Sequence, residues 1–399
     1  MAGLEPDPTD MSDRFEKSGS NQSGMRDRNE RLVLTILRRQ GPLPKAEIAR
    51  KTGLSAQTVS VIMRALETDG LLEKGPKLRG KVGQPSVPMA LAPAGAFFLG
   101  LKVGRRSAEL ILVNFVGEEL GHITEAYAYP TPEGTLSFVE RSVAEICAPL
   151  SPEQKGRIAG MGIAAPYFLW EWANVIGIDE REMAAWRSFD LRTEVGALVS
   201  FPVFMGNDAT SACGAELVFG TAKTLPEFLY IYIGYFVGGG VVLNGMLYPG
   251  RSGNAGAIGT FPTSASGAPN RQLVDTASLI GLERKLPEAP GGAARMLDRS
   301  SDWGIPEAII DEWLDEAAPS LVHMIIGATS VIDFPQVLID GNMPASLRER
   351  VVDRVARSMS EMNLSGLVAP EISAGSLGAK ARSLGAASLP LSKRFLLET

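Results

Sequence analysis

With 399 residues, 45% hydrophobic and 21% charged, the chain has ordinary globular composition and enough length for two or three domains. Two cysteines (Cys147, Cys213) and two histidines (His122, His323) exclude a disulfide framework and a structural zinc site of Cys and His. The acidic, Pro-containing start is no secretory leader and no run of about 18 apolar residues occurs, so no membrane span is expected and the cytoplasm is the expected compartment. The net charge of -6 is unevenly spread: between residues 26 and 85, thirteen Lys and Arg stand against six Asp and Glu. A basic module joined to an acidic body points to nucleic-acid contact at one end.

Residues 1–25, rich in Ser, Asn, Asp and Pro, read as a disordered tail. Residues 26–92 read as a winged helix-turn-helix. RNERLVLTILRRQG, from Arg28, predicts a helix with Leu32, Leu34, Ile36 and Leu37 inward, stopped by Gly41. KAEIARKTG predicts a second short helix with Ile48 and Ala49 inward, ending at Gly53. LSAQTVSVIMRALETDG predicts a third, N-capped by Ser55 and burying Val59, Ile62, Met63 and Leu66. Two short helices around a tight Gly turn suit a major groove, with the third helix as reader. Ala56, Gln57, Ser60, Val61 and Arg64 lie off its apolar stripe. The candidate DNA contacts there are Ser55, Gln57, Thr58, Ser60 and Arg64, with Gln57 suited to adenine and Arg64 to phosphate. LLEKGPKLRGKVGQPSVPMALA then gives two β-like runs around a turn with Lys77, Arg79, Lys81 and Gln84, a candidate wing on the phosphate backbone. The competing reading is a helical dimerisation module with solvated Lys and Arg.

After a linker at Pro93 and Gly95, FFLGLKVGRRSAELILVNFVGEELGHITEAY reads as three strands joined by turns. The pattern returns at FLYIYIGYFVGGGVVLNGMLYPG, residues 228–250, and helical patterns such as SFVERSVAEICAPL and IPEAIIDEWLDEAAPSLVHMIIGATSVI follow the two copies. An internal repeat of this kind predicts two similar α/β lobes facing a cleft, with ligand outside the strand ends. In FMGNDATSACGAE (204–216), Asp208 falls where a strand ends and a helix begins, as a catalytic base, a ligand anchor or a helix cap. In the aromatic stretch 167–186, Trp170 or Trp172 is placed to stack on a sugar face or to pack a lobe or dimer contact.

GMGIAAP (160–166), AAWRSFDL (184–191), FPVFMGNDATSACGAE (201–216), VGGGVVLNG (237–245), GRSGNAGAIG (250–259) and ISAGSLGAKARSLGAAS (372–388) together resemble the ROK family of bacterial sugar kinases and sugar-responsive repressors. The resemblance implies an α/β body, residues 97–399, of two-lobed actin-like, hexokinase-like (ribonuclease H-like) fold. Lobe 1 would span about 97–206 plus the C-terminal helix, and lobe 2 about 207–370. A winged helix-turn-helix ahead of such a body is the arrangement of the family's repressors. By resemblance, Asn207, Asp208, Asn254, Gly238 and Gly239 line the ligand site, with Asp208 the base if the chain is a kinase.

Departures from the kinase pattern bear on function. Where kinases of the family carry Asp-x-Gly-x-Thr, this chain has Lys102, Val103, Gly104, Arg105 and Arg106; only the glycine remains, with Lys and Arg there either drawing an anion or solvated. Where a small-residue phosphate loop is expected stand Gly234, Tyr235 and Phe236, followed by glycines whose other role is close packing. A Gly-Gly loop is replaced by Asp340-Gly341-Asn342, two sugar-side residues by Ala257 and Thr260, and the zinc motif by SASGAPNRQLVDTAS (264–278). The expectation is a DNA-binding repressor of carbohydrate metabolism sensing a sugar or sugar derivative, without cofactor or metal, acting on duplex operator DNA as a homodimer or homotetramer. The alternative is an ATP-dependent sugar kinase with a DNA-binding domain.

Overall fold

The computed structural model describes residues 22–75, 87–173, 178–263, 271–286, 296 and 302–397. They fall into two compact units. The first comprises the chain up to Ala96 with Asn114–Glu118 and the residues from Leu391 on. It contains helices α1 (Gln22–Gln40), α2 (Lys45–Thr52) and α3 (Ala56–Thr68) and strands β1 (Leu72–Lys74) and β2 (Met89–Leu91). The two strands pair antiparallel, Leu72 opposite Leu91. Gly53, at φ 70°, supplies the left-handed residue that ends α2 and starts the turn into α3. α3 is amphipathic as its spacing predicts, with Val59, Ile62, Met63 and Leu66 buried.

α1 differs from the sequence expectation in two respects. It starts at Gln22, inside the stretch expected as tail. Its buried apolar residues are Val33, Leu34 and Leu37, while Leu32 and Ile36 are half-buried. The stripe is rotated because Arg38 is also buried, donating from Nη2 to the Phe115 carbonyl and lying 5.6 Å from the Phe115 ring centre. Burial lowers the Arg38 pKa to about 10. Phe115 meets Phe395 edge-on at 5.1 Å, and Thr35 Oγ1 accepts from the Leu397 amide at 2.9 Å.

The second unit is built on two five-stranded sheets. The first holds β3 (Phe97–Val103), β4 (Ser107–Asn114), β5 (Glu119–Ala126), β6 (Ile158–Ala165) and β7 (Val203–Asn207) in the order β5-β4-β3-β6-β7. The second holds β8 (Phe228–Ile233), β9 (Val237–Leu243), β10 (Met246–Tyr248), β11 (Gln336–Gly341) and β12 (Glu371–Ala374) in the order β10-β9-β8-β11-β12. In each, three consecutive strands form an antiparallel meander and two later strands add parallel to its first strand. The duplication expected from the repeated strand-turn pattern is therefore present in the topology, and β12 carries the second sheet to Ala374.

The helices that matter for the site are α4 (Pro132–Cys147), α5 (Leu191–Leu198), α6 (Asp208–Val218), α7 (Leu273–Ala277), α8 (Leu279–Lys285), α9 (Glu307–Ile332), α10 (Ala345–Ser360) and α11 (Ala381–Phe395), and among these α6 and α11 are decisive. α11 lies close on the first sheet because that sheet offers glycines. A Cβ on Gly100 would stand 2.2 Å from the Ser383 carbonyl oxygen, and one on Gly162 only 1.8 Å from that of Ala386. The second sheet receives α6 in the same way: a Cβ on Gly240 would stand 2.4 Å from the Cys213 Cβ. Gly385 of α11 lets the two helices meet, since a Cβ there would reach the Ser211 carbonyl oxygen of α6 at 2.2 Å. No helix among the described residues is long and apolar enough to cross a membrane.

Candidate functional site

One helical turn before the Gly385–Ser211 contact, α11 carries Arg382 and α6 carries Asp208. The two side chains form an ion pair, Nη1 to Oδ2 at 3.3 Å, with 9% and 12% of their side-chain surface exposed. Close glycine packing thus sets a guanidinium on the carboxylate that sequence reasoning singled out. Arg382 also lies 5.1 Å from the Tyr232 ring centre, and its Nε is buried without a hydrogen-bond partner among the described residues. Burial works against the Arg382 charge, but Tyr232 and Asp208 outweigh it and hold the guanidinium pKa above its ordinary value. Arg382 was not among the residues flagged from sequence.

Asp208 is not the cap of its helix. Asn207 is the N-cap, its Oδ1 accepting from the Ala209 and Thr210 amides at 3.0 and 3.1 Å. That leaves Asp208 in the first turn, its carboxylate directed to Arg382 rather than to backbone amides.

The residues expected to bind a ligand come together. A cleft of about 290 Å³ is lined by Asn207, Asp208, Gly238, Gly239 and Asn254, with Tyr167, Phe168 and Tyr232. Gly238 and Gly239 lie within strand β9 rather than in a phosphate loop. A Cβ on Gly238 would sit 2.8 Å from the Ala209 Cβ, and one on Gly239 2.5 Å from the Tyr230 carbonyl, so close packing requires both glycines. Ala257 and Thr260 line the same cleft. Trp170 is half-buried, with its ring edge-on to Phe168 at 5.7 Å, and packs against the first lobe's core. Trp186, by contrast, is buried, its Nε1 donating to the Pro130 carbonyl at 2.9 Å.

A second cavity, of about 330 Å³, is lined by Lys102, Arg105, Arg106, Tyr235, Asn342 and Arg382, among others. Lys102 is neither solvated nor free to meet a phosphate. It is 4% exposed and donates to Glu109 at 2.9 Å and to the Ser107 hydroxyl at 2.7 Å. Arg105 lies 4.0 Å above the Phe236 ring centre and Arg106 5.3 Å from that of Tyr235, while Arg106 also pairs with Glu283 at 3.1 Å. The turn after β3 and the turn after β8, the two places where kinases of the resembled family hold phosphates, are here clamped together by cation–π contacts. Burial lowers the Arg105 pKa to about 10, with Asp208 opposing the shift, so Arg105 remains charged at neutral pH. Asp340 is turned inward, accepting from Arg348 at 2.9 Å and from the Gly378 amide at 3.0 Å. Burial raises its pKa against the pull of Arg348. Among the described residues no group of three or more His, Cys, Asp or Glu could hold a metal ion. Residues 264–270, in the segment matching the zinc motif, lie outside the described residues.

In the first unit, Gln57, Val61 and Arg64 form an exposed row on α3, with Val61 58% exposed. Ser55 caps the helix, accepting from the Thr58 amide at 3.1 Å, and its hydroxyl meets that of Thr58 at 2.8 Å. Ser60 Oγ donates to the Ala56 carbonyl. These three hydroxyls have local partners, whereas Gln57 and Arg64 project from the face. Lys77, Arg79, Lys81 and Gln84 lie outside the described residues.

Comparison with known proteins agrees with both units. The model of the ROK family matches residues 98–393, and that of winged helix-turn-helix DNA-binding domains matches residues 26–73. The xylose repressor of Bacillus subtilis (strain 168) is 23% identical over 252 residues, spanning 62% of this chain and 64% of the repressor. A crystal structure of a ROK family transcriptional regulator, a homologue of the E. coli MLC protein, superposes with a TM-score of 0.65 at 18% identity, covering 92% of this chain and 96% of that one. A ROK family glucokinase from Streptomyces griseus, in complex with glucose and AMPPNP, shares the fold of the body at TM-score 0.56 and 23% identity, covering 74% of this chain and 99% of the kinase.

Proposed function

The chain belongs to the ROK family, and on that premise we propose that it is a DNA-binding transcriptional repressor whose body senses a sugar or sugar derivative and does not phosphorylate it. The Arg382–Asp208 ion pair carries this reading. A general base must be free to take a proton from the sugar hydroxyl and must face a phosphoryl donor held in line. Here the carboxylate is neutralised by a buried guanidinium, and the turns that would hold the donor are closed on each other by Arg105–Phe236 and Arg106–Tyr235. Binding needs less than catalysis. Asp208 and the amides of Asn207 and Asn254 supply acceptors and donors for sugar hydroxyls, and the aromatic wall suits a sugar's C–H face.

DNA recognition is assigned to Gln57 and Arg64 on α3, with Lys77, Arg79 and Lys81 supplying phosphate attraction. Two copies of the chain would present paired heads to a two-fold operator. Duplexes selected from a random pool by the full chain provide the probe, and fluorescence anisotropy with a panel of sugars, including pentoses, reads the response. The reading requires that at least one sugar changes the affinity for the selected duplex and that Asp208→Asn weakens that change. DNA affinity indifferent to every sugar would overturn it. Replacing Lys77, Arg79 and Lys81 by Ala should flatten the salt dependence by roughly three units of slope, about one for each lost phosphate contact.

A further inference from the structure

We propose that Val61 is a specificity-determining residue of the reading helix, seated against the 5-methyl group of a thymine in the operator's major groove; this rests on the assignment of DNA recognition to α3 made above. Gln57, Val61, Arg64 and Thr68 follow one another at helical spacing, and all four are exposed. They form one stripe on the side of α3 away from the buried Val59, Ile62, Met63 and Leu66.

The chemistry along that stripe is uneven. The hydroxyls turn back on the helix's own backbone: Ser60 Oγ donates to the Ala56 carbonyl at 2.8 Å, and Thr68 Oγ1 to that of Arg64 at 2.9 Å. The Gln57 amide and the Arg64 guanidinium therefore flank an isopropyl group, and Val61 is 58% exposed. A lone apolar side chain on a surface is ordinary, and Met25, near the start of α1, is as exposed as Val61. Val61 differs in standing between the two polar side chains that face outward from the reading helix. Its β-branched shape is also disfavoured in a helix, and at that exposure little packing offsets the cost.

The partner of this stripe is a polyanion rather than an apolar protein face, because thirteen Lys and Arg stand against six Asp and Glu over residues 26–85. Within a major groove each side chain then has a matching group. The amide suits adenine, the guanidinium suits phosphate, and the thymine methyl is the apolar group that base edges present there. Val61 lies about 6 Å along the helix axis from Gln57, against a rise of about 3.4 Å per base pair. The thymine therefore falls within about two base pairs of the adenine that Gln57 reads.

The test uses the full chain and a duplex it selects from a random pool, with each thymine of one half-site replaced singly by uracil. That exchange removes the methyl and keeps the base pairing. One replacement should weaken binding about fourfold, the ratio that burial of a single methyl group implies. Val61→Ala should shrink that penalty to under about twofold, and Val61→Ile should keep it. Gln57→Ala, by relaxing the preference for adenine at one position, marks where the thymine should lie. The uracil scan of the unaltered chain stands even where a variant fails to fold: no replacement that weakens binding would overturn the proposal. So would a penalty that Val61→Ala leaves unchanged, and in either case the effect of Gln57→Ala keeps α3 as the reader. Affinity and base preference indifferent to Gln57→Ala, Val61→Ala and Arg64→Ala alike would overturn both.

Discussion

The two sheets of the body share one strand order but differ at the turn between their first two strands. In the first sheet that turn presents Arg105 and Arg106; in the second it presents Tyr235 and Phe236. Duplication brings the turns face to face, and the side chains decide what the meeting does. Small residues at both would expose backbone amides to a phosphate chain. Arginine on one and aromatic rings on the other join the turns directly. The difference leaves a closed contact beside a cavity lined by Lys102, Arg105, Arg106 and Arg382.

The buried ion pairs test this comparison most severely. Arg382→Met removes the hydrogen-bonded partner of the buried Asp208 carboxylate, leaving the charge of Arg105 nearby, and should cost up to about 3–5 kcal/mol in urea unfolding of the full chain. The double variant Arg382→Met/Asp208→Asn should recover most of that. A loss under about 1 kcal/mol in the single variant would mean that the pair does not persist in solution. Lys102→Met removes the ammonium partner of the buried Glu109, beside which the His122 imidazole remains at 3.7 Å, and should cost up to about 3–5 kcal/mol.

Overpacking sharpens the comparison between lobes. Gly162→Ala drives a methyl into the Ala386 backbone at 1.8 Å, whereas Gly240→Ala meets the Cys213 side chain at 2.4 Å. Both should destabilise by about 1–3 kcal/mol, the first more than the second, because a side chain yields more easily than a helix backbone. Equal losses would place the rigid contact elsewhere.

The smallest effect belongs to the clamp itself. A double-mutant cycle between Arg105→Gln and Phe236→Leu should return a coupling of about 1 kcal/mol. The Arg106–Tyr235 cycle should return less, since that arginine lies farther from its ring and is also held by Glu283. Two equal couplings would mean that both arginines use their rings alike.

Much of this organisation was legible in the residues. Helix α3 is marked by an apolar stripe at helical spacing and a serine cap, and the repeat by two strand-glycine-strand runs. Asp208 stood out because an Asn-Asp pair follows an apolar run that reads as a strand, although that strand, Val203–Asn207, is only half-buried. Arg382 did not stand out, because 174 residues separate it from its partner. Its only local sign is an arginine within the small-residue run GAKARSLGAAS, where Gly385 permits the helix crossing. Lys102 was misread for a related reason: its partner Glu109 lies on the neighbouring strand, and periodicity gives no charge pairing across strands. In α1, the inward stripe predicted through Leu32 and Ile36 was displaced by Arg38, whose acceptor at Phe115 lies 77 residues away. Local spacing reports elements well; contacts over long sequence distances fix the site.

The central claim, that the body binds a sugar but does not phosphorylate it, is tested most directly by a single coupled assay. The full chain, with magnesium and ATP, is followed for nucleotide hydrolysis across a panel of neutral and acidic sugars, alongside its melting temperature. The account predicts no sugar-dependent ATP turnover above background for any of them, together with a melting shift from at least one sugar that Asp208→Asn reduces. Robust sugar-dependent turnover, abolished by Asp208→Asn, would contradict it and make the chain a kinase.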